Sequence, residues 1–261
     1  MKKYILDIAT IFLVGMSIVG TSWKAIDRRQ TQQDAIKNIA ADSLYSQFIT
    51  NIYHEIHLDS VGLNEQVFEK ALTGFYNMKY SGLLRTKSIL TIADFDQEST
   101  KKRLYIIDLA SRKLILNTWV AHGSNSGGDK PSSFSNNINS NQSSLGFYLT
   151  GEIYSGKHGR SLKLDGMDQG FNNNARERSI VVHGASYVSQ KSIDELGRLG
   201  RSQGCPAVPA KLADHVINTI SDRTVLFINN SDQLYYSSFL NETLAASVAL
   251  NQPQVFATKM D

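Results

Sequence analysis

From residue 88 to residue 228 the chain is divided into short runs of β-branched and aromatic residues that are separated by turn residues. Short runs of this kind, bounded by Gly, Ser and Asn, are typical of β-strands. We predict strands over residues 88–95, 103–109, 114–121, 146–153, 161–164, 180–182 and 224–228. The pattern restricts this part of the chain to a mainly β domain of about 140 residues.

Helices are predicted on both sides of the β-rich region. Apolar residues recur at helical spacing from Tyr45 to Ile56, and Asn64 is a suitable N-cap for a second helix that ends near Gly82. Pro209 fits the first turn of a later helix. The predicted fold class is therefore mainly β with flanking helices (α+β). We expect a linker and helical region over 24–84, the main domain over 85–230 and a C-terminal extension over 231–261.

The first 23 residues have the layout of an export segment. Met1, Lys2 and Lys3 form a short positive region, and residues 8–19 are mostly apolar. This arrangement is typical of a secretory signal peptide. Asp7 and the absence of an Ala-x-Ala site leave an uncleaved membrane anchor as the alternative. Both interpretations place the rest of the protein outside the cytoplasm, in the periplasm or cell envelope.

The composition narrows the classes of partner. The net charge is +3, and no dense stripe of Lys and Arg with interleaved aromatics is present, so nucleic acid is not an expected partner. A metal site built from Cys205, His122, His158 and His183 would lack the short-spaced ligand pair that is usual in zinc sites. We therefore expect neither a metal nor a cofactor.

Cys205 is the only cysteine and stands between Gly204 and Pro206. In an exported chain it has no intramolecular partner for a disulfide, so it is inert and buried, paired between chains, or kept for its reactivity. Its neighbours are turn residues, which favours the third interpretation. A cysteine nucleophile acts as thiolate, so we expect a neighbouring group to lower the thiol pKa.

His183 is the best candidate for that group, because it ends an apolar run and is followed at once by Gly184. An imidazole activates a thiol by taking its proton and stabilising the resulting ion pair. A third group must hold the ring in one tautomer, and a backbone carbonyl at Gly184 or a distant Asp could do so. His122 also precedes a glycine and is the rival base.

The segment before the cysteine is expected to bind the oxyanion of a tetrahedral intermediate. Pro206 has no N–H, so the donors must come from Cys205 itself and from Gly204 or Gln203. Arg160, Arg198 and Arg201 are the cations best placed to bind a substrate carboxylate. The polar stretch 124–144 is long for a connection, and it is either functional, ordered by its own hydrogen bonds, or mobile.

With these residues in view, the chain resembles the L,D-transpeptidase catalytic-domain family (YkuD-like), in the branch whose motif ends Ser-x-Gly-Cys-Pro-Ala-Val. The resembling segments lie between residues 85 and 230. They begin at Arg103, Val120, Phe134, Ser143 and Tyr154, and they include the His183–Gly184 and Ser202–Val208 motifs.

The resemblance implies a β-sandwich catalytic domain in the bacterial cell envelope that acts on the peptide stems of peptidoglycan. In this family a cysteine attacks the tetrapeptide stem, and an amine acceptor resolves the acyl-enzyme. By motif, Cys205 is the nucleophile, His183 the base and Gly184 the donor of the orienting carbonyl. The backbone at Gly204 and Cys205 then forms the oxyanion hole.

The chain departs from the commoner family pattern at two positions. Gln203 stands where the family has histidine, and Ala207 stands where it has arginine. The missing arginine leaves the binding of the substrate carboxylate unassigned. The candidate substrate-binding residues are therefore Ser202, Gln203, Arg201, Arg160 and His122.

Two alternatives to cross-linking remain open from the sequence. Water could resolve the same acyl-enzyme, which would make the protein an L,D-carboxypeptidase or an amidase. A non-catalytic peptidoglycan-binding protein could also retain the fold. The two enzymatic outcomes differ only in the acceptor that reaches the thioester.

Overall fold

The structure is a computed structural model that describes residues 43–231 and 234–251. The predicted signal peptide or membrane anchor over 1–23 lies outside the described residues. The chain divides into two compact units, Met1–Ser46 and Gln47–Asp261, and of the first unit only residues 43–46, which are helical, are described. Within the described part, no helix combines the length and apolar character that a membrane span requires.

The described residues contain eight β-strands and five α-helices. The strands are β1 Ile89–Asp94, β2 Leu104–Asp108, β3 Lys113–Thr118, β4 Gly146–Gly156, β5 Gly159–Gly166, β6 Val181–Ala185, β7 Ala207–Pro209 and β8 Val225–Asn229. The α-helices are α1 over 43–55, α2 Glu65–Tyr80, α3 Gln190–Leu196, α4 Ala213–Ile220 and α5 Glu242–Leu250. Short 3-10 turns lie at Asp59–Val61, Ser124–Ser126, Ala210–Leu212 and Ser238–Leu240.

All eight strands form one continuous hydrogen-bonded sheet in the order β3-β2-β1-β8-β4-β5-β6-β7. Most neighbours are antiparallel, but β1 pairs in parallel with β8 and β6 pairs in parallel with β7. The pairing of β1 with β8 brings the first and last strands together at the centre of the sheet. The pairing of β6 with β7 forms one edge, next to the residues singled out by sequence.

Helices cover both faces of the central strands. On one side, α2 packs on β1 and β8, where the Phe147 and Phe227 rings stack with centroids 4.4 Å apart. On the other side, the buried Val216, Ile217 and Ile220 of α4 join the main core cluster. Because both faces are covered, the side chains of β8 are all buried and its sequence is continuously apolar up to its last residue.

The segment after the sheet packs back onto the domain within residues 234–251. The buried carboxylate of Asp168 accepts hydrogen bonds from the hydroxyls of Tyr235 (2.8 Å) and Ser237 (2.5 Å). The amide of Asn77 on α2 donates to the backbone carbonyl of Asn241, and α5 packs along α2. These contacts hold the described end of the chain against the helix that covers the sheet.

The predicted fold class is confirmed: the domain is α+β with a dominant sheet. Seven of the eight strands lie where the sequence predicts them, within a few residues at each end. The exception is β7, whose three residues are too short to show a period.

Phe147→Ala should destabilise the protein by about 3–5 kcal/mol, because the ring is fully buried between α2 and Phe227 and its removal leaves a cavity. Ile153→Ala, on the exposed end of the same strand, should change stability by less than about 0.5 kcal/mol. Urea unfolding of both variants measures the difference. A loss below about 1 kcal/mol for Phe147→Ala would contradict the packing of α2 on the sheet.

Candidate active site

A cavity of about 310 Å³ brings together most of the residues that the sequence analysis selected. It lies between the β4–β5 turn, strand β6 and the segment that leads into β7. Five predicted residues line it: Cys205, His183, Ser202, Gln203 and Arg201. The thiol and the imidazole therefore share one solvent-accessible space.

The pairing of β6 with β7 brings the backbone positions of these two residues close together. His183 lies opposite Ala207 in the parallel register, and Cys205 precedes Ala207 by two residues. Gly184, opposite Val208, has no room for a side chain, because an added Cβ would lie 2.7 Å from the Cβ of Ala213. Gly184 is thus required by the close approach of α4.

The His183 ring is buried and held in one orientation. Its Nδ1 lies 3.0 Å from the carbonyl oxygen of Gly184. Because a carbonyl only accepts, Nδ1 carries the proton and Nε2 keeps its lone pair. Burial lowers the pKa of His183, with smaller contributions from the charges of His158 and Lys157, and the Gly184 carbonyl partly opposes this shift. The ring is therefore neutral at pH 7 and can accept a proton at Nε2.

The thiol of Cys205 is partly exposed and is held by the strand that carries His183. Its Sγ accepts a hydrogen bond from the amide of Val181 (3.4 Å) and donates to the carbonyl of Ser179 (3.7 Å). Burial raises the pKa of Cys205, and the Val181 amide and the charges of Arg178 and Lys157 offset only part of that effect.

Burial therefore disfavours the thiolate–imidazolium ion pair that the sequence led us to expect. The pKa of Cys205 is raised and that of His183 is lowered, so both groups are neutral at pH 7. The physical reason is desolvation, which disfavours the charged form of each group. In this arrangement the imidazole can act on the thiol as a general base during a reaction, without a charge on either group beforehand.

The turn before the thiol is fixed by a buried hydroxyl. Ser202 Oγ accepts from the amide of Gly204 (3.1 Å) and donates to the carbonyl of Cys205 (2.6 Å). Gly204 has φ +117°, a conformation that a residue with a side chain rarely adopts, and an added Cβ would lie 2.7 Å from the carbonyl oxygen of Gln142. Ser202 therefore bridges the two sides of this turn.

This bridge also restricts the choice of oxyanion donors. The amide of Gly204 is occupied by Ser202 Oγ. In the described part of the chain, the amides of Gln203 and Cys205 donate to no other residue. The structure thus favours Gln203 and Cys205 over Gly204, which the resemblance implied, as the pair of amides that could bind an oxyanion.

The polar stretch 124–144 is ordered by hydrogen bonds of its own and by Arg178. The Arg178 guanidinium donates to the carbonyls of Ser135 (2.7 Å) and Gln142 (2.5 Å) and to the hydroxyls of Ser140 and Ser144. Within the stretch, the amide of Ser143 donates to Ser126 Oγ (2.8 Å). The sequence left three interpretations open: a functional segment, one ordered by its own hydrogen bonds, or a mobile one. The structure agrees with the second, a segment ordered by its own hydrogen bonds.

The Ser143 hydroxyl connects the polar stretch to the turn before the thiol. Its Oγ accepts from the amide of Gly123 (3.0 Å) and donates to the carbonyl of Gly204 (3.2 Å). The stretch therefore supports the turn that precedes Cys205. The sequence left the role of this segment open, because residues 178 and 204, which it contacts, are distant from it along the chain.

His122 does not line the cavity. It is fully buried, its Nδ1 accepts from the guanidinium of Arg103 at 2.7 Å, and its Nε2 lies 3.4 Å from the carbonyl oxygen of Gly127. Burial and the charge of Arg103 lower its pKa to about 3, so the ring stays neutral. The structure thus does not bring this rival base and candidate substrate ligand to the thiol.

The three arginines predicted to bind a substrate carboxylate are engaged elsewhere. Arg198 lies outside the cavity and donates to the carbonyl of Leu199 (2.9 Å). Arg160 lies outside the cavity and binds Asp214 (3.1 Å) and Asn218 (2.5 Å). Arg201 lines the cavity, but its guanidinium donates to the carbonyls of Leu199 (2.6 Å) and Gly128. Neither the guanidinium of Arg160 nor that of Arg201 therefore has a free pair of N–H groups that could bind a ligand carboxylate.

Two neighbouring residues of the cavity wall were not among the predicted catalytic or substrate-binding residues. Lys157 and His158 form the two-residue turn between β4 and β5. The ring of His158 stacks on the ring of His183, with centroids 4.3 Å apart and an angle of 23° between the planes. A Gly-bounded turn was visible in the sequence, but only the pairing of β5 with β6 places it over His183. In the described part of the chain, no group of three or more His, Cys, Asp or Glu is arranged to hold a metal ion.

The sequence matches the family model described as L,D-transpeptidase catalytic domain over residues 59–229. This match covers more than half of the chain, so the protein belongs to the L,D-transpeptidase catalytic-domain family. The family resemblance inferred from the motifs is confirmed. The match begins at residue 59 and so includes α2. No curated protein sequence matches the chain.

Solved structures give a weaker likeness. An L,D-transpeptidase from Mycobacterium smegmatis is 13% identical with a TM-score of 0.32, and the match covers 55% of this chain and 59% of that chain. The helical cell shape determining protein Pgp2 from Campylobacter jejuni is 12% identical with a TM-score of 0.37, covering 68% and 61%. This chain thus spans about three fifths of the length of these proteins.

The rate at which iodoacetamide alkylates Cys205 should rise with pH and reach half its maximum above about 8.5, the ordinary pKa of a cysteine. The reason is that burial raises the pKa of Cys205, so less thiolate is present at pH 7 than in a free cysteine. Mass spectrometry of the alkylated protein over a series of pH values measures the midpoint. A midpoint at or below 8.5 would show that an ion pair with His183 overcomes the burial.

Proposed function

We propose that the protein is an exported cysteine acyltransferase that forms a thioester between Cys205 and a peptidoglycan stem peptide and transfers the acyl group to an amine. The observation that carries this proposal is the geometry at His183. Its Nδ1–H is bound by the Gly184 carbonyl, so its basic Nε2 is left for a proton, in a cavity that also holds the chain's only cysteine. Membership of the L,D-transpeptidase catalytic-domain family supports the substrate class.

In the acylation step, the sulfur of Cys205 attacks a carbonyl carbon of the stem peptide while Nε2 of His183 takes the thiol proton. The negative charge that develops on the carbonyl oxygen is bound by the amides of Gln203 and Cys205. The imidazolium is stabilised by the Gly184 carbonyl, which already accepts its Nδ1–H. When the tetrahedral intermediate collapses, His183 returns the proton to the leaving amine, and the thioester remains.

In the second step, an acceptor amine attacks the thioester and His183 takes a proton from it. Collapse of the second intermediate releases Cys205 as leaving group, which recovers its proton from the imidazolium. The product is a new amide bond. Water as acceptor would give a carboxylic acid instead, and the chemistry at Cys205 and His183 would be the same in both cases.

The neutral resting state suits this mechanism. A neutral imidazole with a lowered pKa is available as base down to a lower pH than an ordinary histidine. The thiol is protonated before the substrate binds, so the proton transfer and the attack on the carbonyl occur together. Ser202 contributes by holding the turn that carries both the nucleophile and the oxyanion donors.

Incubation with a disaccharide-tetrapeptide or with a carbapenem should add one acyl group to Cys205, as read by mass spectrometry of the intact protein and its peptides. Cys205→Ala should give no adduct. His183→Ala should acylate about a hundredfold more slowly or worse, because a positioned general base contributes about that much. His215→Ala is the matched control, since this exposed histidine of α4 lies outside the cavity and its loss should leave the rate unchanged.

The outcomes separate the alternatives. No adduct with any donor would mean that the fold serves as a non-catalytic cell-wall binder and would overturn the proposal. An adduct in His183→Ala at the full rate would overturn the role of His183 as base. Supplying the acyl-enzyme with an amine and with water, and identifying the product by mass, distinguishes cross-linking from hydrolysis.

A further inference from the structure

The cavity has an unbalanced charge. Of the described residues that line it, three carry a permanent positive charge, Lys157, Arg178 and Arg201, and none carries a carboxylate. A concave site lined by charges of one sign concentrates ligands of the opposite sign. The cavity is therefore suited to an anionic ligand, and the question is which cation contacts it.

The two arginines are already committed to the protein. Arg178 donates to two carbonyls and two hydroxyls of the stretch 124–144. Arg201 donates to the carbonyls of Leu199 and Gly128. Rotating either guanidinium towards a ligand would leave several of these acceptors without a donor, which is costly where they are buried. Most N–H groups of both arginines are thus bound within the protein, so the two side chains contribute mainly charge to the cavity.

Lys157 is different in this respect. Its side chain is exposed, and in the described part of the chain its ammonium group forms neither a hydrogen bond nor an ion pair. It lies at the tip of the two-residue turn between β4 and β5 and lines the cavity. Burial raises the pKa of Cys205, and the charge of Lys157 is among the influences that oppose this shift, as expected for a cation close to the thiol.

The neighbouring residue holds the turn in place. His158 stacks on the buried ring of His183, which is itself fixed by the Gly184 carbonyl. Stacked rings at this separation attract each other beyond their area of contact. The stack holds the otherwise exposed turn against the base, and this turn places Lys157 on the wall of the cavity.

We propose that the Lys157–His158 turn is a carboxylate-binding subsite, in which Lys157 binds a carboxylate of the peptide substrate and His158 positions the turn. The identification of the ligand as a peptide rests on the proposed function. The subsite takes the place of the arginine that the family carries where this chain has Ala207, and that neither Arg160 nor Arg201 supplies. It makes the enzyme selective for acyl donors with a free carboxylate.

Binding to the full chain carrying Cys205→Ala tests the subsite without any acylation. The probes are a disaccharide-tetrapeptide and the same compound with its carboxylates amidated one at a time, measured by calorimetry at low salt. Lys157→Ala in this background should weaken binding of the unmodified peptide about fivefold, the size expected of one solvent-accessible ion pair. One of the amidated peptides should bind the parent about fivefold more weakly and should be insensitive to Lys157→Ala.

Conservative variants and a matched control complete the experiment. Lys157→Arg should restore the preference for the free carboxylate. His158→Ala should lose part of it, and His158→Phe, which can still stack on His183, should keep it. Lys191→Ala removes an exposed lysine that is paired with Glu195 on α3 and should change nothing. Raising the salt concentration should reduce the difference between the parent and Lys157→Ala.

Two results would overturn the subsite. One is equal binding of the unmodified peptide by the parent and Lys157→Ala, and the other is an equal loss for every amidated peptide in both proteins. Either result leaves the chemistry at Cys205 intact. Failure of the parent to bind any of the peptides would instead count against the proposed function, and the subsite would fall with it.

Discussion

The parallel pairing of β6 with β7 is the constraint on which the site depends. It brings the strand that carries His183 beside the segment that carries Cys205, although 22 positions of sequence separate the two residues. The same strand supplies the Val181 amide to the sulfur, and the residue after His183 supplies the carbonyl to the ring. Because backbone groups hold both side chains, their orientation is set by the sheet and not by mobile side-chain partners.

Buried polar groups extend this order to the rest of the cavity. Ser202 and Ser143 hold the turn before the thiol, and Arg178 gathers the polar stretch behind it. Each hydroxyl both donates and accepts, so the backbone of a Gly-containing turn is held without a regular strand. The arrangement explains how a segment with little hydrophobic character can support the Cys205 thiol. It also explains why Arg178 and Arg201, which bind backbone and hydroxyl groups of the protein, are not free for substrate.

The sequence predicted seven of the eight strands and selected the cysteine and the histidine as site candidates, because these depend on local periodicity and on glycine and proline at turns. It also offered the Gly184 carbonyl as orienting group, since that contact lies between adjacent residues. It could not place Lys157 and His158 over His183 or His122 against Arg103, because those contacts depend on the pairing of distant strands. The sign of the Cys205 pKa shift was also beyond it, since burial is set by the folded structure.

The central claim is that His183 is a neutral imidazole with its proton on Nδ1 and a free Nε2. Long-range proton–nitrogen correlation spectra of the labelled protein at pH 7, with His183→Ala to assign the signals, report the tautomer of this ring directly. The account predicts a protonated Nδ1 and an unprotonated Nε2. A ring protonated at Nε2 alone, or an imidazolium protonated at both nitrogens, would contradict it.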